Sequence, residues 1–209
     1  RGAAEAARTT LDGMAAGGMY DHVGGGFHRY SVDERWLVPH FEKMSYDNSE
    51  LLKNYLHGYQ VSGKPLFREI AEGIIGWVND VLSDPRGGFY ASQDADFSLE
   101  DDGDYFTWTP DELRAALSPE EARVAELYYD VGAQGEMHHN PAKNVLWIAQ
   151  EPAEIAAALS IGEADVRLLL ARAKGKMLAA RKLRPTPYVD TTLYVAWNAM
   201  FASAYLEAY

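Results

Sequence analysis

The segment Gly17–Asn48, GGMYDHVGGGFHRYSVDERWLVPHFEKMSYDN, concentrates side chains that can move protons or grip a polar ligand. Three of the six histidines, His22, His28 and His40, fall in it together with Asp21, Glu42, Asp47, Arg29 and Lys43. Histidines and carboxylates supply acid–base groups, and aromatic faces such as Tyr30 and Trp36 stack on sugar rings. Six of the 18 glycines lie within residues 13–26, which permits tight folding or close approach of a ligand to the backbone. The plainer alternative is a structural loop whose histidines only hydrogen-bond buried backbone.

A second group follows a hairpin-like stretch: Gln93, Asp94 and Asp96. Carboxylates in a cleft can act as general base, hold sugar hydroxyls or, as an opposed pair, hydrolyse a glycoside. The acidic run Glu100–Asp104 reads as a solvated loop tip. Asp94-x-Asp96-x-Ser98 opens like a calcium loop, but Leu99 stands where the turn glycine belongs and Tyr105 where the bidentate glutamate belongs. His138-His139-Asn140-Pro141 reads as an exposed polar turn. Phosphate-cradle, zinc-protease and serine-hydrolase signatures are absent from the sequence. His22, His28, His40 and Glu42 follow no metal-ligand spacing, so neither metal nor cofactor is expected.

The elements that position these groups are mostly helices. Ala3, Ala7, Leu11 and Met14 share one face of a first helix ending at Gly17-Gly18. A second is expected from Asp47 to Val61, opened by an Asp47/Glu50 capping box, and a third from Pro65. Thr109-Pro110-Asp111-Glu112 and Ser118-Pro119-Glu120-Glu121 each combine a cap, a proline at the first helical position and a glutamate three residues after the cap. Further helices are expected over 152–159, 163–183 and from Thr191 onward. Residues 26–31 should pair with 36–38, and 88–91 with 104–108, with 145–148 a lone strand. The connections 17–44, 84–108 and 130–150 are long and alternate with short ones, so in an up-and-down helical array they share one face. Gly25-Gly26-Phe27 is echoed by Gly87-Gly88-Phe89, the phenylalanines 62 positions apart, as a ring of helical hairpins would produce.

The 209 residues carry 19 basic and 31 acidic side chains, a formal net charge of −12, which disfavours nucleic acid as a partner. A hydrophobic fraction of 47% is that of a folded domain. Zero cysteines exclude disulfides and thiolate chemistry. No apolar run is long enough for a membrane span, and a cytoplasmic location is expected. The opening Arg1-Gly2-Ala3 already lies within a helical pattern, as in a segment of a longer protein.

The first block above, then GGFYASQDADF with GDYFTWTPDEL, then RPTPYVD with AWNAM, resemble the spermatogenesis-associated, thioredoxin-domain-containing family over nearly the whole chain. The resemblance implies a mainly α fold: an incomplete (α/α)6 toroid of antiparallel helical hairpins, with short β-hairpins in the long loops on one face. That toroid is similar to N-acylglucosamine 2-epimerase and six-hairpin glycosidases. Residues 1–209 would then be a single α/α-hairpin domain, a fragment of the toroid without the family's thioredoxin-like domain. A carbohydrate-type pocket is implied at its rim, matched by Asp21, His22, His28, Arg29, Tyr30, His40, Glu42, Lys43, Asp47, Asn48, Gln93, Asp94 and Asp96. The chain departs from the family pattern at Ser45 and at Thr191-Thr192, where an Asp and a Lys usually follow Asp190.

The resulting expectation is a sugar-like small-molecule ligand. His28 or His40 would move a proton beside a carbonyl, and Asp94 or Asp96 would orient hydroxyls. Arg29 would stabilise negative charge, with Tyr30 or Trp36 stacking on the ring. The rival expectation is a non-catalytic scaffold or interaction module for a thioredoxin-like neighbour. About eight helices are too few for a ring of twelve, so an apolar helix edge should stay open or be covered by self-association.

Overall fold

In the first helix, α1 (Gly2–Ala16), only the C-terminal end is buried, with Ala15 inside and Leu11 and Met14 packed against the core. It stops where backbone crowds it. A Cβ on Gly17 would lie 2.5 Å from the Trp36 carbonyl oxygen, and one on Gly18 would lie 1.9 Å from that of Leu37. This computed structural model describes residues 2–99 and 101–209. Arg1 and Glu100, the latter within the expected acidic loop tip, lie outside the described residues.

The loop after α1 carries strands β1 (Tyr30–Ser31), β2 (Pro39–His40) and β3 (Lys43–Met44) and leads into α2 (Ser45–Ser62). α2 starts two residues before the expected position. Met44 is its N-cap, so Asp47 sits within the first turn and the Asp47/Glu50 capping box does not form. Gly63, in the left-handed conformation (φ 66°), ends α2, and Pro65 opens α3 (Pro65–Trp77), which continues as a π-helical turn over Val78–Leu82. Strand β4 (Ser92–Gln93) follows, then α4 (Pro110–Ala116) and α5 (Pro119–Tyr129), both opened by complete capping boxes. After α6 (Pro152–Leu159) and α7 (Glu163–Arg181) come β5 (Val189–Asp190) and α8 (Val195–Ala208). α8 begins later than Thr191 because Asp190 Oδ1 accepts from both Thr192 N and Thr192 Oγ1, at 2.9 and 2.6 Å, which holds a non-helical turn.

Helix makes up 53% of the chain and strand 8%, so the strands tie loops together while helices build the cores. One core joins α1, α2, α3 and α8 around Phe27, Leu52, Tyr55, Phe67, Ile74, Trp77 and Phe201. Fully burying each such side chain contributes about 1.5–3 kcal/mol. Helices α4–α7 pack on one another around Trp108, Leu113, Ala125 and Met177, with a satellite cluster of Val124, Ile155 and Val166. α2 and α8 run parallel: Tyr46 meets Trp197 near their N-termini (ring centroids 5.0 Å), and His57 meets Glu207 near their C-termini (2.9 Å).

The two Gly-Gly-Phe strings form the same local structure. Gly25 and Gly26 have φ of 79° and 77°, Gly87 and Gly88 of 103° and 97°. Asn48, fourth residue of α2, accepts from Phe27 N (2.7 Å) and donates to Phe27 O (3.0 Å). Asn198, fourth residue of α8, does the same for Phe89, at 2.7 and 2.9 Å. Each amide also donates to the carbonyl four residues back, Met44 or Tyr194. A left-handed glycine pair followed by an asparagine clamp therefore introduces each of the two parallel helices.

The strands pair differently from the local pattern. β1 pairs with β2, Tyr30 opposite His40, displaced from the expected 26–31/36–38 hairpin because Asp33 caps the turn through Arg35 N, Leu37 N and Val38 N. The 88–91/104–108 hairpin does not form. Instead β4 lies between β3 and β5, all antiparallel, with Lys43 opposite Gln93 and Gln93 opposite Val189. Trp108 bridges to Asn144, and residues 145–148 form no strand. The three long loops do meet: Phe41, Tyr105, Phe106, Met137 and Val145 make one small cluster.

Candidate functional site

Side chains alternate across a strand, so consecutive residues of β3, β4 and β5 look to opposite sides of the sheet. Lys43, Gln93 and Val189 form one row and line a cavity of about 280 Å³. Their chain neighbours Glu42, Asp94 and Tyr188 line the other side, where Asp94 N donates to Tyr188 O at 2.8 Å. With His40, Asp96 and Phe97 they wall an open groove of about 530 Å³. His40, Ala95 and Asp96 also border a cavity of about 380 Å³ closed by Phe41, Glu136, Met137 and His138.

Expected site residues that meet in this groove are His40, Glu42, Asp94 and Asp96, with Arg29, Tyr30 and Asp47 beside them. Arg29 Nη1 donates to Glu42 Oε2 at 2.9 Å, and the Tyr30 ring lies 4.9 Å from that of His40. Glu42 N donates to His40 Nδ1 (3.3 Å), which leaves the imidazole proton of the neutral ring on Nε2. Burial, with Glu42 and Asp190 as like-charged neighbours, raises the Asp94 carboxyl above the ordinary range. Burial also raises Asp96, reinforced by Asp101 and Asp102, while the Gly103 amide opposes at 2.8 Å. Asp47 rises through burial, partly offset by Arg29, and its Oδ2 is buried without a hydrogen-bond partner.

The other expected residues are placed elsewhere. His28 is a core residue, not a groove residue: Nδ1 contacts Phe41 O at 2.8 Å and the ring meets the Phe41 and Phe106 rings at 5.1 and 4.8 Å. Burial pulls its pKa down to about 3. His22 Nε2 contacts Gly17 O at 3.0 Å, and burial pulls its pKa down to about 4. Asn48 is occupied by its clamp on Phe27. Trp36 (φ 59°) packs its ring over Gly13 of α1. Asp21 and Lys43 are joined by an ion pair at 2.6 Å, and Asp21 Oδ1 accepts from Arg181 Nη1 at 2.8 Å. Burial opposes ionisation of Asp21, but Arg181 and Lys43 outweigh it and hold the carboxyl well below the ordinary range. Burial takes the Lys43 ammonium down to about 8.

Sequence reasoning missed Tyr188, Phe97 and Arg181. Tyr188 is 65% exposed and Phe97 52% exposed, an expense of apolar surface that the alternating pattern around Val189 and Gln93 could have flagged. Arg181 sits in the last turn of a helix, where a cation reads as a solvated end, and its partner Asp21 is 160 positions away. Among the described residues no group of three or more histidines and carboxylates converges as a metal site, and no helix is long and apolar enough to cross a membrane.

No protein-family model matches the chain. Human spermatogenesis-associated protein 20 is 36% identical over 94% of this chain and 28% of its own length. The mouse protein of the same name is 35% identical over the same shares. An uncharacterized protein of Caenorhabditis elegans is 31% identical over 96% of this chain and 30% of its own. The chain thus spans less than a third of the length of these relatives. The quoted motifs and these homologues together support the family of spermatogenesis-associated protein 20 as the kin of this chain.

Proposed function

We propose that the open groove binds a carbohydrate-type ligand and supports proton-transfer chemistry of the isomerase or epimerase kind. The observation that carries this reading is one wall shared by His40, Glu42, Asp94 and Asp96, with Tyr188 and Phe97 as exposed aromatic surface. Aromatic faces take the apolar side of a sugar ring and carboxylates take its hydroxyls. His40 carries the acid–base role alone, since His28 is sealed in the core. Burial raises Asp94 and Asp96 above the ordinary carboxyl range, and two carboxylates on one wall also keep a glycosidase-like variant in view. Calorimetric titration of mono- and disaccharides at pH 7 tests it. Saturable heat is expected, weakened roughly tenfold in Asp94→Asn through loss of a charged acceptor. No heat with any sugar overturns the reading.

In the same proposal the fold is part of an (α/α)6 toroid. Support comes from the parallel pair α2 and α8, each introduced by a Gly-Gly-Phe loop and an asparagine clamp. The outward side of α8, with Val195 87% and Leu206 78% exposed, would be the open edge, covered by a further hairpin or by a second copy. The scaffold reading has its own support in the buried Asp21–Lys43–Arg181 group, which locks half of the loop cluster internally. A chain that gives no heat with sugars but binds a thioredoxin-like domain would establish it.

A further inference from the structure

We infer that the cavity behind the β3–β4–β5 sheet, on the side away from the acidic groove, is a binding site for a small oxyanion, a carboxylate or a phosphate group. Lys43 is fully buried and Arg181 is 3% exposed, and both border this cavity. They share a single carboxylate, Asp21, so the three groups leave one positive charge in excess. At the rim Lys182 is balanced by Asp80 at 3.3 Å. Buried charge without a counter-charge is costly, and a bound anion removes that cost.

Lys43 Nζ donates to Asp21 Oδ2 at 2.6 Å and to Gly25 O at 2.8 Å, which leaves one of its three N–H groups unused. Asp21 occupies Arg181 Nη1, while Arg181 Nε is buried with no hydrogen-bond partner. The guanidinium lies against both the Tyr105 and Phe106 rings, at 5.1 and 5.6 Å from their centroids. It also presses on Gly24, where a Cβ would lie 1.9 Å from Nη2. An arginine so fixed presents its remaining N–H groups in one geometry, which favours planar or tetrahedral oxyanions. Gln93 Oε1 accepts the Trp77 indole N–H at 3.0 Å, and among the described residues nothing accepts from Gln93 Nε2. A cavity of about 280 Å³ suits a small acid better than a polymer.

The test is calorimetric titration of the whole chain with inorganic phosphate and, separately, with acetate, in chloride buffer of matched ionic strength. One-to-one binding above the chloride background is expected for at least one of them, and the stronger of the two names the class. Thr186 is exposed at the same cavity, so its charge variants keep the fold intact. Thr186→Glu is expected to weaken binding roughly tenfold and Thr186→Lys to tighten it. Arg181→Lys retains the charge facing Asp21 but lacks Nε, and is expected to weaken binding at least about tenfold with an unchanged circular dichroism spectrum. Asp94→Asn, on the opposite side of the sheet, should leave anion affinity unchanged. The inference is overturned if neither anion binds above chloride, or if the two Thr186 variants bind alike. Sugar titration is a separate measurement, so either reading can fail without the other.

Discussion

Acid should unfold this chain through two histidines that the fold seals in neutral form. His28 is 3% exposed and His22 6%, each with one ring nitrogen on a backbone carbonyl. Burial leads the depression of both, to about 3 for His28 and about 4 for His22. In the unfolded chain both titrate near 6.5, so below that pH the unfolded state binds protons that the native state refuses. Their contribution is therefore complete above pH ~6.5 and is lost as pH falls toward 4 and 3. Between pH 7 and pH 5 the linkage amounts to about 2 kcal/mol for each histidine, about 4 kcal/mol together. That is a large part of an ordinary stability of about 5–15 kcal/mol. Urea unfolding followed by circular dichroism at pH 7, 6 and 5 measures it directly. His22→Gln and His28→Gln, whose amides can still donate to the Gly17 and Phe41 carbonyls, should each remove about half of the slope. A change below about 1 kcal/mol across this range in the wild type would refute the argument, because neither imidazole would then be sealed from protons.

Asp21→Asn should cost about 3–5 kcal/mol in urea unfolding at pH 7, since it leaves Lys43 and Arg181 buried against a neutral amide; a loss under about 1 kcal/mol would show that the pair is solvated. Asn48→Ala should cost more than Asn198→Ala, although the two clamps have the same geometry. Phe27 is fully buried and would keep an unsatisfied N–H and C=O, each costing about 1–3 kcal/mol, whereas Phe89 is only partly buried and water can replace its clamp.

Helix starts were legible wherever the signal is local chemistry. Thr109, Ser118 and Pro65 each act within four residues of themselves, and all three open helices as read. Asp47 failed the same test because its neighbours are already helical. β3 runs directly into α2, and the ladder to Ser92 fixes Met44 as the last extended residue. The strands were illegible for a related reason. Each is two residues long, so no period-two run exists to be read, and in the β3–β4–β5 sheet the partners lie about 50 and 100 positions apart. Among the candidate residues, His40, Asp94 and Asp96 were found by type and loop position, and these do share a groove. His28 has the same type and the same loop but the opposite fate, decided by Phe41 and Phe106 closing over it. Spacing alone does not report which rings close over which histidine.

The buried ion group then needs a reason beyond stability, because a well-packed apolar trio of similar volume is often as stable or more so. Its position supplies one. Asp21 lies at the start of the Gly-Gly-Phe loop, Lys43 on β3 before α2, and Arg181 at the end of α7. The three together tie the α4–α7 bundle to the hairpins of α1, α2, α3 and α8 at a single point. They also set the sign of the surface behind the sheet. Period-two alternation places Glu42 and Asp94 on one side and Lys43 and Gln93 on the other, so one two-residue ladder separates an acidic groove from a cationic cavity. An apolar trio would preserve the junction and erase that difference. The cost of burying two cations beside one carboxylate is intelligible if the cavity they border is used.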